Sequence, residues 1–101
     1  MRSMLLHEAV YKAAKYLWAT YILNKDSPIL TEKERIAISF LEPNLDIEEQ
    51  DVAEHKYSLK LGHDLYLFEL GTTKDTIKIY RIEGTRQKLY VKIPLEILSE
   101  L

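Results

Sequence analysis

The fold is decided by residues 56–91, which read KYSLKLGHDLYLFELGTTKDTIKIYRIEGTRQKLYV. Apolar and polar residues alternate along this stretch, and Gly62, Gly71 and Gly84 interrupt it. A period of two between glycine-containing turns is typical of half-buried antiparallel strands. We therefore predict a β-meander over residues 55–93, with strands at 55–61, 65–70, 76–82 and 87–93.

One face of this meander is mostly apolar and the other is mixed. We predict that the apolar face points inward and carries Leu59, Leu61, Leu65, Leu67, Ile77, Ile79, Leu89, Val91 and Ile93. Turns centred on His63, Thr73 and Thr85 set the register of this prediction. The outer face then carries two rows of side chains, which are Lys60, Tyr66, Tyr80 and Tyr90 in one and Ser58, Phe68, Lys78 and Lys92 in the other.

Residues 3–24 predict a long N-terminal helix, because they contain no glycine or proline and are rich in alanine and leucine. One apolar stripe of this helix consists of Leu6, Val10, Ala13, Leu17 and Tyr21. A second apolar stripe, Tyr11, Trp18 and Ile22, leaves only a narrow polar arc. A helix that is apolar around most of its circumference is buried on more than one side.

A sheet covers only one side of such a helix, so its second stripe needs another partner. We expect that partner to be a second copy of the molecule, and we predict a homodimer interface at Tyr11, Trp18 and Ile22. The alternative is that residues 26–54 fold back over Trp18.

The middle of the chain carries two conflicting signals. Thr31 and Glu34 have the spacing of a capping box, which favours a helix that begins there. Yet Ile36, Ile38 and Phe40 occupy alternate positions, as in a strand. We predict a strand over residues 35–41, then an acidic loop or short helix over 46–54, and a short helical piece over 94–101 that opens with a proline.

These elements predict a single α+β domain over residues 1–101, in which the long helix packs on an antiparallel sheet of four or five strands in two layers. Of the 101 residues, 47 % are hydrophobic and 30 % charged, as in globular proteins. Asparagine and glutamine are scarce and ionic residues plentiful, which is a thermophile-like composition. No export signal or membrane span is visible, so we expect an intracellular, cytoplasmic location.

The sequence contains no motif for catalysis or for binding a metal or cofactor. Cysteine is absent, and the three histidines do not have the spacing of zinc ligands. Glu69 and Arg81 fall on the mostly apolar face, where a structural ion pair or a place at the margin of the sheet accounts for them better than acid–base chemistry. We therefore expect a non-enzymatic protein without metal or cofactor. An enzyme of unknown class is the third possibility, after the two binding functions described next.

The distribution of charge and tyrosine favours a protein that acts by association. Residues 26–54 carry nine acids and two bases, whereas residues 55–92 carry eight bases and four acids. Tyrosine combines a large apolar body with a polar tip, which suits a protein interface with a second copy or an unknown protein partner. The alternative is binding of single-stranded nucleic acid, with tyrosines stacked on bases and lysines on phosphates. The candidate face for either role is Lys60, Tyr66, Phe68, Lys78, Tyr80, Lys88, Tyr90 and Lys92.

Overall fold

A computed structural model describes residues 6–51, 54–70 and 75–101 of the chain. Its helices and strands, in chain order, are α1 (Leu6–Ile22), α2 (Glu32–Ser39), β1 (Glu48–Asp51), β2 (Lys56–Leu61), β3 (Asp64–Leu70), β4 (Thr76–Glu83), β5 (Arg86–Pro94) and α3 (Leu95–Leu98). The strands form one antiparallel sheet in the order β1-β2-β3-β4-β5, so each strand pairs with its neighbours in sequence. The predicted α+β fold, an N-terminal helix packed on an antiparallel sheet, is confirmed.

The first helix ends in a Schellman motif, which also turns the chain back towards α2. Asn24 adopts a left-handed conformation with φ of 51°. The Lys25 N–H donates to the Thr20 carbonyl at 3.1 Å, and the Asn24 N–H donates to the Tyr21 carbonyl at 3.1 Å. These bonds satisfy carbonyl groups that a helix end leaves without partners. The helix therefore ends two residues before the predicted position, while predicted residues 3–5 lie outside the described residues.

The core lies between the helices and the inner face of the sheet. From α1 it receives mainly small side chains, Ala9, Val10, Ala13, Ala14 and Leu17. From the sheet it receives larger ones, among them Leu59, Phe68, Ile77, Ile79 and Ile93. Alanines let the helix approach the sheet closely, and each large apolar side chain that is fully buried contributes about 1.5–3 kcal/mol.

The predicted strand over residues 35–41 is wrong, because this segment belongs to helix α2. The Glu34 N–H donates to Thr31 Oγ1 at 3.2 Å, and the Thr31 N–H donates to Glu34 Oε1 at 2.8 Å. This capping box satisfies backbone donors at the helix N-terminus and so stabilises the helical start. Within α2 only Ile38 is buried, so the alternation of apolar residues does not reflect a strand with one buried face.

Two smaller predictions also need correction. The acidic segment 46–54 contains a short strand, β1, which pairs with β2, and residues 52–53 of this segment lie outside the described residues. The predicted helical piece at the C-terminal end is present as α3, but Pro94 precedes it as the N-cap.

Helix α1 also contacts the segment between residues 30 and 43. The Tyr11 hydroxyl donates to the Pro43 carbonyl at 3.0 Å, and the Lys15 ammonium donates to the Ser39 carbonyl at 3.3 Å. Farther along the helix, the Leu30 N–H donates to the Tyr16 hydroxyl at 2.9 Å. Residues 26–54 therefore fold back over α1 at Tyr11, whereas their predicted contact with Trp18 stays a prediction.

The β2–β3 register differs by one residue from the prediction. Leu61 pairs with Asp64 across a two-residue loop, in which Gly62 has φ of +62°. A glycine with positive φ at the first loop position is the arrangement of a type II′ hairpin turn. Because side chains alternate between faces, this slip turns Tyr66 and Phe68 towards the helices and Leu65 away from them.

The other two strand pairs complete this rearrangement. Between β3 and β4, Tyr66 pairs with Arg81 and not with the predicted Tyr80, while the predicted turn centre at Thr73 lies outside the described residues. Between β4 and β5 the predicted pairing of the two outer-face lysines, Lys78 with Lys92, is confirmed. The predicted pairing of Tyr80 with Tyr90 is wrong.

A β-bulge explains the error in β5. Ile79 pairs with Val91, but the next residue, Tyr80, pairs with Leu89, so Tyr90 is the extra residue of the bulge. As a result Leu89 lies on the outer face and is 47 % exposed. The predicted inward face is therefore wrong for Leu65, Leu67 and Leu89.

Candidate functional site

The eight side chains predicted to share one surface are divided between the two faces of the sheet. The register places four of them on the outer face, namely Lys60, Lys78, Tyr80 and Lys92. The others belong to the face that meets the helices or to its margin, namely Tyr66, Phe68, Lys88 and Tyr90. Tyr66 is 6 % exposed and Phe68 is 1 % exposed. The predicted row of stacked tyrosines is therefore absent from the outer face.

The outer face instead carries a band of apolar side chains. The pairing aligns Leu65 with Ile82 and aligns Leu67 with Tyr80 and Leu89. None of these five residues belongs to the core cluster or packs against it. Lysines at positions 60, 78 and 92 flank this band.

The three residues predicted for the dimer interface have different surroundings. Tyr11 bonds to Pro43 of its own chain, and Trp18 packs partly buried against the core. Ile22, at the C-terminal end of α1, is exposed. Contacts within the chain thus cover Tyr11 and part of Trp18, but they leave Ile22 exposed. A dimer interface at these three residues stays a prediction.

The most exposed apolar side chains of the described residues lie around α2. Nine large hydrophobic side chains are exposed in the described ranges, and seven of them fall between residues 21 and 41. Phe40 is 82 % exposed and Ile29 is 66 % exposed. We call Ile29, Ile36, Phe40 and Leu41 the α2 surface. The sequence analysis does not include this surface, because it predicts a strand over residues 35–41. The capping box and the i, i+4 spacing of Ile36 and Phe40 are the signals that indicate it.

A cleft opens between the C-terminal end of α1 and the inner face of the sheet. Its volume is about 630 Å³, and its lining residues are Thr20, Tyr21, Ile22, Asn24, Lys25, Asp64, Tyr66, Arg81 and Tyr90. This volume lies within the range of about 300–1,000 Å³ that is common for small-molecule sites. The lining combines three tyrosine rings with two bases and one acid.

Two of the tyrosines, Tyr66 and Tyr90, and the arginine of the cleft contact one another. The rings of Tyr66 and Tyr90 meet edge to face, with 5.5 Å between their centroids and an interplanar angle of 66°. The Arg81 Cζ atom lies 5.5 Å from the centroid of the Tyr90 ring, within the range of a cation–π contact. Burial, followed by the charge of Asp64, raises the pKa of Tyr66, so its hydroxyl keeps its proton at neutral pH.

Both bases of the cleft form ion pairs at its rim. Arg81 Nη2 lies 2.9 Å from Glu83 Oε1, and Lys25 Nζ lies 2.6 Å from Glu34 Oε1. The hydrogen bond from Lys25, together with the capping bond from Thr31, lowers the pKa of Glu34 to about 2. The prediction that Arg81 needs an ionic partner or a place at the margin of the sheet agrees with its pairing to Glu83.

Comparison with known proteins gives no relative from which a function could be inferred, so a functional proposal depends on the surfaces of the chain. No protein-family model, no curated protein and no solved structure matches the chain. In the part of the chain that the structure describes, none of the helices has the length and apolar character needed to cross a membrane. Within the same ranges, no three His, Cys, Asp or Glu side chains are grouped so that they could hold a metal ion.

Proposed function

We propose that the chain is a non-enzymatic protein that acts by association, first with a second copy of itself, through the α2 surface. The observation that supports this most is the exposure of Phe40, at 82 %, one helical turn from exposed Ile36 and next in sequence to exposed Leu41. Scattered apolar residues are ordinary on protein surfaces, but a contiguous group is typical of a contact site. Aromatic residues are also enriched in protein interfaces.

The solvent-facing side of α2 is suited to a symmetric contact. Ile36, Ala37 and Phe40 are all exposed, and the small side chain of Ala37 permits close approach of a second helix. A twofold axis near Ile36 would pair two α2 helices in antiparallel orientation, so that the same residues meet on both copies. Lys33 would then lie near Phe40 of the partner, where a cation–π contact can form.

The size of α2 limits what this helix contributes by itself. Eight residues span only about 12 Å, whereas stable interfaces bury about 1,200–2,000 Å² in total. The interface must therefore extend to Ile29 and Leu41, and towards the exposed end of α1, where Ile22 lies. An interface centred on α2 thus includes one of the three residues predicted for dimer contact.

Association through the sheet edges is less favoured by the chain. The outermost strand β1 has only four residues, EEQD, all exposed, and three of them are acidic. The opposite edge strand, β5, contains a bulge and exposed Lys88 and Lys92, and it ends at Pro94. Short length, charge, bulges and proline all oppose the pairing of edge strands with another chain.

Binding of single-stranded nucleic acid is the alternative proposal, and the observed register weakens it. Lys60, Lys78 and Lys92 share the outer face with Tyr80, so phosphate contacts are available there. Tyr66 and Phe68 are buried and cannot stack on bases from that face. Stacking contributes about 1–3 kcal/mol per base in single-strand binders, and most of that contribution is missing here.

The oligomeric state of two matched variants tests the proposal. We expect wild-type protein to form dimers at high micromolar concentration in multi-angle light scattering, and Phe40→Ser to remain monomeric. Leu89→Ser is the control, because Leu89 is an exposed apolar residue on the outer face of the sheet and should leave the dimer intact. Monomeric wild-type protein would refute self-association. Dimers lost in L89S and retained in F40S would assign the contact to the sheet face instead.

A further inference from the structure

The cleft is built by three separate parts of the fold. Tyr21 and Lys25 come from the Schellman end of α1, Asp64 follows the β2–β3 turn, and Tyr66 and Arg81 come from the inner face of the sheet. The Tyr21 phenol lies against the backbone of the β2–β3 turn, since a Cβ atom at Gly62 would lie 2.8 Å from the Tyr21 hydroxyl oxygen. Turn and helix end thus fix one wall of the cleft relative to the other.

The composition of this part of the inner face differs from that of the core. Phe68, Ile77 and Ile79 fill the space under α1 and are fully buried. At the end of the same strands, Arg81 and Tyr66 point to the cleft, and the bulge in β5 brings Tyr90 beside them. The bulge therefore gives the cleft a ring that regular pairing would have placed on the outer face.

The binding capacity of Arg81 is only partly used by its own chain. Its Nε and Nη2 atoms donate to a single carboxylate oxygen, Glu83 Oε1, at 3.3 and 2.9 Å, and the guanidinium also forms a hydrogen bond with the Tyr66 side chain. A guanidinium has five N–H donors, so further donors are available to a ligand. Ion pairs that are as exposed as Arg81 with Glu83 contribute only about 0–1 kcal/mol, so an anionic ligand can replace or join the carboxylate at little cost.

The sign of the charge on a ligand follows from the cation–π contact. A cationic ligand would have to displace Arg81 from the Tyr90 ring and would be repelled by Arg81 and Lys25. Glu83 and Glu34 pair with these two bases at the rim, and Asp64 is the single acid among the lining residues, so an anion is attracted mainly by the Arg81 donors that Glu83 leaves unused. The faces and edges of the tyrosine rings favour a flat aromatic group beside that anion.

We infer that the cleft binds a small molecule in which an aromatic ring is joined to an anionic group, a carboxylate or a phosphate. The ring lies against Tyr66 and Tyr90, and the anion accepts hydrogen bonds from Arg81. Lys25 lies on the opposite wall, where it pairs with Glu34 at 2.6 Å. This site contains none of the residues of the α2 surface and shares only Ile22 with the extended interface, so the two proposals are tested by separate variants.

Titration with phenyl phosphate, followed by two-dimensional NMR of the ¹⁵N-labelled chain, tests the inference. We expect saturable shifts of the backbone amides that line the cleft, with affinity at least about tenfold higher than for phenol or for inorganic phosphate, since the ring and the anion both contribute. The variant Arg81→Gln should lose about tenfold or more in affinity. Arg86→Gln is the matched control, because Arg86 is exposed on β5 and does not line the cleft.

Several outcomes would overturn the inference. These are the absence of saturable shifts, shifts spread over the surface lysines, or equal affinity for phenyl phosphate and inorganic phosphate. Unchanged affinity in R81Q, with an otherwise native spectrum, would also overturn it. If R81Q does not fold, Tyr90→Leu removes the ring while it keeps an apolar side chain, and unchanged affinity in that variant would be equally decisive.

Discussion

Replacing Phe68 by alanine tests on which side of the sheet β3 places its alternate residues. Phe68 is 1 % exposed and lies between Tyr57 on β2 and Ile79 on β4, both of which are buried. Its chain neighbour Leu67 points to the outer face, where Ser58 and Tyr80 flank it. Phe68→Ala and Leu67→Ala therefore remove apolar atoms from opposite faces of the same strand.

The two truncations differ in expected cost because only one of them leaves a cavity. Phe→Ala in a core costs about 3–5 kcal/mol of the free energy of unfolding, since lost burial and the empty volume add. Leu67 is only half-buried and leaves a groove open to water, so its truncation should cost about 1 kcal/mol. In a chain of this length 1 kcal/mol lowers Tm by about 4–8 °C, so Phe68→Ala should lower it by at least about 12 °C.

Urea unfolding provides the measurement, with the single tryptophan and far-ultraviolet circular dichroism as two probes. Both variants should unfold with similar m-values, and Phe68→Ala should have the much lower midpoint. If Leu67→Ala were the more destabilising variant, the register would be displaced by one residue. The outer face would then carry Phe68 and Tyr66, and the cleft described above would not exist.

Two predictions concern the dependence of stability on pH. The pKa of Glu34 is lowered from 4.5 to about 2, so the stability that this carboxylate contributes is fully present above pH 4.5 and is lost as pH falls through about 2. In the variant Glu34→Gln the urea midpoint should change less with pH across this range than it does in wild type. The same pH dependence in both proteins would contradict the role of the capping box. Burial raises the pKa of Tyr57 and of Tyr66 above 10.0, so the unfolded chain loses these protons first and stability falls above pH 10. The double variant Tyr57→Phe and Tyr66→Phe should therefore keep more of its stability above pH 10 than wild type does. Burial lowers the pKa of Lys15, so loss of its proton raises stability as the pH approaches 10.5, in wild type and variant alike.

The elements that the sequence predicts correctly are those with long and regular patterns. The first helix shows apolar residues at helical spacing over five turns without glycine or proline, and the meander shows alternation between glycines. In both cases many residues carry the same signal, so no single position decides the outcome. The order of strands follows as well, because short connections make consecutive antiparallel strands neighbours.

Helix α2 shows why the sequence pattern is less reliable for a shorter segment. Alternating Ile36, Ile38 and Phe40 indicate a strand only if alternate apolar residues are buried, yet Phe40 and Ile36 face solvent. The hydrogen bonds between Thr31 and Glu34 act at the first turn whether or not the apolar residues are buried. For eight residues with a single buried side chain, this local capping signal was the more reliable of the two.

The candidate cleft depends on the length of one turn and on one bulge. A two-residue loop at Gly62 reverses both faces of β3 relative to a three-residue loop, because side chains alternate with a period of two. The bulge at Tyr90 then changes the face of the residues between it and the β4–β5 turn, so Leu89 lies outside. Tyr66, Arg81 and Tyr90 meet only when both features are present. The sequence shows the alternation along each strand, but it does not show the register between strands. That register depends on the turn at Gly62 and the bulge at Tyr90, and these two features determine which tyrosines share a surface.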